Sequence, residues 1–468
     1  MSRSTLPDTA PVTPPPADRT GAVAAPRSTA PPRAIASGTP RAEGHRVQRV
    51  QRPAAPAIAI TGLGLVSPLG NSVADALPRA LRGDSAIRRY TSPWADPADA
   101  HLRDRVGGTV EHFDAARVLD PRFAERTEPG VLYALAAADE ALAQANLATA
   151  GDRTRVGCVM GAGLAGAELW HRALHTAFVE RRPDDIARMT AIAITGTAVT
   201  GQLALRHRLL GPSIAVANAC ASGTSAIALG VDQLRLGRAD AMVVGGCESS
   251  LRSLMTYACF VGAGMNATDD PDAACAPFAA GRRGFVLAEG AGVLVLERLD
   301  LARARGAEVL AVIAGTSLTN DAFHVISPEP TGAAWARAMT LALADGGVSA
   351  DEVDAVSAHA TGTPQGDVAE TRAIRRALGA RADRVLVSAT KSMHGHAFGA
   401  AGAIETVLAV AAMRAGMVLP TINLRAPDPA CDLDYVPDRA RRHPVDVLVK
   451  NGFGAGGVAS CLVIRRAA

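Results

Sequence analysis

From residue 57 onward one pattern recurs: an apolar run rich in Val, Ile and Ala stops at glycine or serine and gives way to a helical pattern. AIAITGLGLVSPLG leads into SVADALPRALRGD. The runs RVGCVMGAG, ADAMVVGGCES, GAGVLVLER, VLAVIAGTS, VDAVSAHATG, RVLVSATKS and SCLVIRRAA read as strands, and VLYALAAADEALAQANL, SAIALGVDQLRLGRA, AAWARAMTLALADGG and AIETVLAVAAMRAG lie between them as helices. This alternation predicts an α/β fold in layers, with sheets mostly buried on both faces. AIAITGLGLVSP near residue 58 and VLAVIAGTSLT near residue 309 share a texture and head two segments, 57–308 and 309–468, which predicts two pseudo-repeated halves.

Residues 1–56 differ in kind. They are rich in Pro, Ala, Thr and Arg, too poor in apolar surface to offset the entropy of ordering, and are expected to form a disordered extension. They hold eight Arg against Asp8, Asp18 and Glu43, so the remaining chain is nearly neutral although the whole carries a formal +3. That small charge and an aromatic content of 3% argue against a nucleic-acid binder. The seven cysteines form no CxxC pair, which excludes zinc spacing and a disulfide framework and fits a reducing cytoplasm. The uncharged run 209–231 is long enough to span a bilayer, but Pro212, Asn218 and Ser222 to Ser225 mark it as buried core; no secretory signal is visible.

Four segments could carry chemistry. Cys220 lies in NACASGTSAI, where a strand turns through small residues into a helix; a thiol at a helix N-terminus is biased toward thiolate, and small neighbours admit a thioester. A plain buried cysteine is the competing reading. His359 ends the strand-like VDAVSA and is followed by Thr361 and Thr363, whose hydroxyls could bind a ligand's amides; Asp367 and Glu370 are either helix-start acids or supporting groups. KSMHGHAFGAAGAIE carries Lys391, His396 and Glu405, with His394 reading as a turn residue and Gly399 and Gly402 suggesting close helix packing. Only two of the 48 basic residues are lysines, so Lys391 overrides a strong Arg bias, as a site needing a compact ammonium would demand. NGFGAGG is a glycine-rich turn whose N–H groups could hold an oxyanion or whose swing could gate a site. One Cys and two His, each after a strand and without metal spacing, suit carbon–carbon condensation through a thioester.

In this order the motifs TGLGLVSPLGN, NACASGTSAI, PFAAGRRGFVLAEGAG, DAFHVISPEPTG, AHATGTP, KSMHGHAFGAAGAIE, PTINLRAPDPACDLDYVP and NGFGAGG make residues 57–468 resemble the elongating β-ketoacyl-acyl carrier protein synthases of the thiolase superfamily. The resemblance implies a five-layered αβαβα fold and a cytoplasmic dimer, either a homodimer or a heterodimer with a second ketosynthase-like subunit. It implies no bound cofactor or metal, the phosphopantetheine arriving on acyl carrier protein. It makes Cys220 the acylated nucleophile, His359 and His396 the pair that promotes malonyl decarboxylation, and Lys391 and Glu405 their organisers. Thr361 and Thr363 would contact the pantetheine arm, the backbone N–H groups of Cys220 and Ala455 would form the oxyanion hole, and Phe453, Gly454, Ala455 and Gly456 would form the gating loop.

Several positions depart from the family pattern. Ala455 stands where a second gate Phe is usual, Val458 and Ala459 replace the polar end of that motif, Ala279 and Arg283 replace two acids, and Ile326 replaces a pantetheine-facing Thr. These changes point toward polyketide or specialised fatty-acid synthesis. Two rival readings follow from the same resemblance: a non-condensing partner like a chain-length factor, which usually lacks the Cys, and a ketosynthase-fold acyltransferase.

Overall fold

Ten strands carry the architecture: β1 (Ile58–Val66), β2 (Val156–Gly161), β3 (Ser213–Val216), β4 (Ala241–Glu248), β5 (Gly290–Arg298), β6 (Ala311–Asn320), β7 (Ala355–Ser357), β8 (Leu386–Ser388), β9 (Val447–Gly454) and β10 (Val458–Arg466). The computed structural model describes residues 56–92, 94, 105–147, 152–262, 265, 268 and 270–467. The expected extension lies outside the described residues except for Pro56. Residues 54–468 make one compact unit.

The strands run in the order β8-β7-β9-β10-β6-β1-β5-β4-β2-β3. Read outward from the centre, one side is β1, β5, β4, β2, β3 and the other is β6, β10, β9, β7, β8, the same order with each strand replaced by the one five places later. Directions repeat too: the first two pairings of each side are antiparallel and the last two parallel. The sides meet where β1 and β6, the strands of shared texture, pair antiparallel with Ile58 opposite Ile313. The pseudo-repeat is therefore a repeat of topology as well as texture.

Five helices build the layers: α1 (Pro129–Gln144), α2 (Ser222–Arg235), α3 (Ala333–Asp345), α4 (Gly366–Leu378) and α5 (Ala401–Arg414). Side chains alternate along the strands and so feed two layers at once. On β5, Val293 and Val295 join α1 in one outer core, while Leu294 and Leu296 face the central helices α2 and α5. On β10, Leu462 and Ile464 face the same centre, and Cys461 and Val463 face α3 and α4. The result is the thiolase-like αβαβα arrangement. Close approach depends on missing side chains: a Cβ on Gly62 or Gly64 of β1 would stand 2.0 or 1.8 Å from the Ala141 or Ala137 carbonyl oxygen of α1.

Two details differ from the sequence reading. Only Gly402 lies on α5, where a Cβ would come 2.0 Å from Thr224 Oγ1 of α2; Gly399 belongs to the preceding turn Phe398–Ala400 and abuts Gly163 instead. The uncharged run 209–231, read as buried core, is mostly buried only from Ala221 on, in α2; Leu210 and, in and beside the edge strand β3, Ser213, Ala215 and Ala217 are exposed. Among the described residues no helix is long and apolar enough to cross a membrane.

Candidate active site

The carboxyl ends of β3, β7, β8 and β9 each deliver one piece of the site, as open α/β sheets favour. After β3 the turn Ala219–Ala221 holds Ala219 at φ +46, a conformation costly for alanine, and Ser222 fixes the turn by accepting from the Asn218 N–H at 2.9 Å and donating to the Ala219 carbonyl at 2.6 Å. Cys220 sits on this turn, partly accessible, where the backbone N–H groups of Cys220 and Ala455 favour a negative charge on the sulfur. Two converging backbone donors are what an oxyanion site needs. Burial pushes the thiol up to about 12, against the pull of Lys391 and these N–H groups. The local bias toward thiolate is present in these donors, but desolvation outweighs it.

His359 follows β7 and is held through its backbone. Its N–H and that of Ala360 donate to the two oxygens of Glu370 at 2.8 and 2.7 Å, and its carbonyl accepts from Lys391 Nζ. His396 follows β8; its N–H donates to the Val286 carbonyl at 2.6 Å and its own carbonyl accepts from the Ala288 N–H at 3.0 Å. The two imidazoles stand 5.7 Å apart at 87°, and both ring nitrogens of His396 lack a partner among the described residues. Burial, reinforced by Lys391, holds both histidines well below their ordinary value, so both are neutral. His394, at the end of the one-turn helix Lys391–His394, is buried with Nε2 3.1 Å from Thr390 Oγ1 and is held at about 4 by burial.

Glu405 on α5 and Lys391 form a buried ion pair, and Lys450 on β9 closes on the second Glu405 oxygen at 2.6 Å. Burial alone would raise the Glu405 carboxyl, but the two ammonium groups hold it below its usual value. The chain's only two lysines therefore meet on one carboxylate behind the histidines. The rarity that singled out Lys391 applied equally to Lys450, which lies in an apolar strand and was not read as part of the site. Glu248, at the end of β4, was also missed; it accepts from the Gly163, Leu164 and Gly399 N–H groups at 2.8, 3.3 and 3.1 Å and ties the flanking turns together.

Thr361 and Thr363 stand with their hydroxyls 3.2 Å apart on a loop that Arg282 braces, donating to the Thr363 and Pro364 carbonyls at 3.0 and 2.6 Å. Asp367 is no mere helix-start acid. It is buried, 3.4 Å from Arg282, and accepts from the Phe278 and Gly362 N–H groups at 2.8 and 3.1 Å. Burial pushes its carboxyl up to about 7 against the pull of those bonds and of Arg282. Arg282→Ala is expected to lower unfolding free energy by about 3–5 kcal/mol at pH 8, because Asp367 and Asp428 lose their counter-charge and the Ala279, Thr363 and Pro364 carbonyls lose their donor. The loss shrinks at pH 5: the folded-state value of Asp367 is about 7 with Arg282 in place and rises further without it, so the part of the penalty due to Asp367 appears as pH rises through about 7 and is absent at pH 5, where the group is neutral in both folded proteins. Urea unfolding at the two pH values measures this.

Phe453 and Gly454 of the expected gating loop belong to β9, and Phe453 is buried, stacked on Trp335 at 4.0 Å. Only Ala455, Gly456 and Gly457 form the turn; Ala455 is exposed, and the glycines take φ +82 and +76, which a side chain would strain. The turn is pinned to the end of β6 by Asn320 Nδ2 on the Gly456 carbonyl at 2.6 Å and to the segment after it by the Gly456 N–H on the Val325 carbonyl at 2.7 Å.

Fold and site together define a thiolase-like protein with a cysteine, two neutral histidines and backbone donors at its strand ends. Residues 55–302 match the N-terminal domain of β-ketoacyl synthase and residues 310–425 its C-terminal domain. The chain is 36% identical over 411 residues to 3-oxoacyl-[acyl-carrier-protein] synthase 2 of Staphylococcus aureus strain N315, covering 87% of this chain and 98% of that one. The enzyme of the same name from Rhizobium meliloti strain 1021 is 37% identical over 419 residues, with the same coverage. Among solved structures, a type II polyketide ketosynthase in complex with its acyl carrier protein and bound to a hexaketide superposes with a TM-score of 0.80 at 30% identity, covering 88% of this chain and all of that one. A β-ketoacyl synthase from Burkholderia phymatum STM815 gives 0.79 at 31%, again over 88% of this chain and all of that one. The chain belongs to the β-ketoacyl synthase family.

Proposed function

We propose that this ketosynthase joins an acyl group held on Cys220 to a malonyl unit delivered by acyl carrier protein. The observation that carries the reading is geometric: the His359 and His396 rings stand 5.7 Å apart, Lys391 reaches the His359 carbonyl, and the Cys220 turn packs against Gly454, next to Phe453, whose ring lies 5.8 Å from that of His359. In the first half-reaction Cys220 sulfur attacks the acyl thioester, the bond to the carrier sulfur breaks, and the carrier thiol leaves with the proton from Cys220. In the second, the malonyl carboxylate leaves as carbon dioxide and its bonding pair forms an enolate, stabilised by N–H donation from neutral His359 and His396. The enolate carbon attacks the acyl carbonyl, the N–H groups of Cys220 and Ala455 hold the oxyanion, and the carbon–sulfur bond breaks. One proton taken up restores the thiol, and the product is a 3-oxoacyl thioester.

Thr361 and Thr363 would line the path of the phosphopantetheine arm. A dimer is supported by the open edge of β3, which among the described residues pairs only with β2, and by the exposed apolar side chains of Trp170, Phe178, Val179, Met189 and Ile192. The partner is a second copy or a ketosynthase-like subunit, and light scattering of the purified chain separates the two. The seven cysteines are all free thiols, which supports a cytoplasmic setting. The departures at Ala455 and Ile326 support polyketide or specialised fatty-acid synthesis over housekeeping elongation. Intact-protein mass spectrometry with acyl and malonyl carrier-protein thioesters tests the reading: a Cys220 adduct followed by carbon dioxide and 3-oxoacyl product supports it. An adduct without carbon dioxide favours acyl transfer, and no adduct favours the partner-subunit reading.

Ala455 should also govern which acyl groups enter. With an exposed methyl group at the turn, Ala455→Phe is expected to cut kcat/KM for the bulkiest accepted acyl groups about tenfold or more while sparing short ones, a difference on the scale of pocket selectivity. An unchanged acyl profile would remove the turn from specificity.

A further inference from the structure

Lys391 alone would balance Glu405. Lys450, which is fully buried, brings a second basic group to the same carboxylate, with buried Glu370 as the next acid that acts on it, although burial opposes a charge there. Its connections explain why it is there. Lys450 Nζ contacts Glu405 and the carbonyl of Asn451; Asn451 Nδ2 donates to Glu370 at 2.9 Å, and Glu370 accepts the backbone N–H groups of His359 and Ala360. From the other side, Glu405 holds Lys391, which reaches the His359 carbonyl. Lys450 and Asn451 thus join the two clamps that grip His359, on the same strand that leads through Phe453 to the Ala455 donor.

We infer that Lys450 is a positioning residue for the condensation step: it fixes Glu405 and Lys391 behind His359 and, through Asn451, steadies the Glu370 clamp on the His359 backbone. Its field also acts in the same direction on both histidines, disfavouring their protonation. A lysine suits this place because a compact ammonium can sit between one carboxylate oxygen and one carbonyl, where a planar guanidinium would need more room. The inference rests on the condensing reading.

Lys450→Met keeps the stem and removes the charge; Lys450→Ser leaves room for water at Glu405 and supplies the same readout should the first variant be insoluble. Each half-reaction is measured separately: Cys220 acylation by intact mass, and carbon dioxide release and 3-oxoacyl formation from the preformed acyl-enzyme. The expected result is acylation within about threefold of wild type and a fall of about 10- to 100-fold in the condensation kcat, the scale of a small misplacement of reacting groups. In a Glu405→Gln background the same substitution should have a much smaller effect, since both act through one unit. Condensation at the wild-type rate in the soluble variant, or an equal fall in both half-reactions, overturns the inference. A wild-type protein that is acylated but never condenses overturns instead the condensing reading on which it rests.

Discussion

Cys220→Ala ends acyl-enzyme formation: incubated with an acyl thioester, the variant keeps its unmodified mass while wild type gains one acyl group, and condensation falls about 10^3-fold or more. The chain has six other thiols, so the specificity of this loss is informative. Cys259 is exposed, and Cys158, Cys247, Cys275, Cys431 and Cys461 are buried. Burial raises the thiols of all five buried residues. Burial raises Cys220 as well, so a low resting proton affinity does not distinguish it. What does is the pair of backbone donors at its sulfur and its partial exposure. Attack and proton loss must therefore coincide with thioester binding, where the negative charge moves from sulfur to the carbonyl oxygen facing those donors. Cys259 supplies the internal control: a small alkylating reagent should still label it in the variant. An acyl adduct at any residue of Cys220→Ala would overturn the assignment.

The parts of this site that were legible in the sequence are those set by short-range pattern. Strands ending in glycine or serine before a helix announce where the carboxyl edges of the sheets lie, and Cys220, His359 and Lys391 each stand within a few residues of such an edge. The shared texture of β1 and β6 foretold the repeat, but the equivalence of the two strand orders depends on pairings between distant segments. The local bias toward thiolate is outweighed for a related reason: a helix start is visible locally, whereas the desolvation that raises the Cys220 thiol comes from everything folded around it. Phe453 entered the gating loop through the resemblance, and its stacking on Trp335, more than a hundred residues earlier, could not be read from the glycines around it. Lys450 carried a usable signal in its rarity; what hid it was that its partner, Glu405, lies 45 residues away on another element.

Replacing either histidine should separate the two halves of the reaction. In His359→Ala and in His396→Ala, Cys220 still takes an acyl group, because acyl transfer to the thiol forms no enolate for the imidazoles to stabilise, while release of carbon dioxide and formation of product fall about 10^2- to 10^4-fold. The two losses differ in origin. The His359 backbone is clamped by Glu370 and Lys391, so truncation there removes a ring from a loop that keeps its place. His396 has two unpartnered ring nitrogens, and removing it deletes a donor whose hydrogen-bonding capacity the protein leaves free for an incoming oxygen. Removing both should cost far less than the product of the single losses, since one enolate oxygen is served by both rings. Because burial and Lys391 keep both imidazoles well below their ordinary value, lowering the pH from 7 to 6 leaves them neutral, and neither should impose a fall in the wild-type condensation rate over that range. A rate that halves near pH 6.5 and recovers that independence in one of the single variants would mean that the replaced histidine titrates in place, and that the neutral-donor mechanism is wrong.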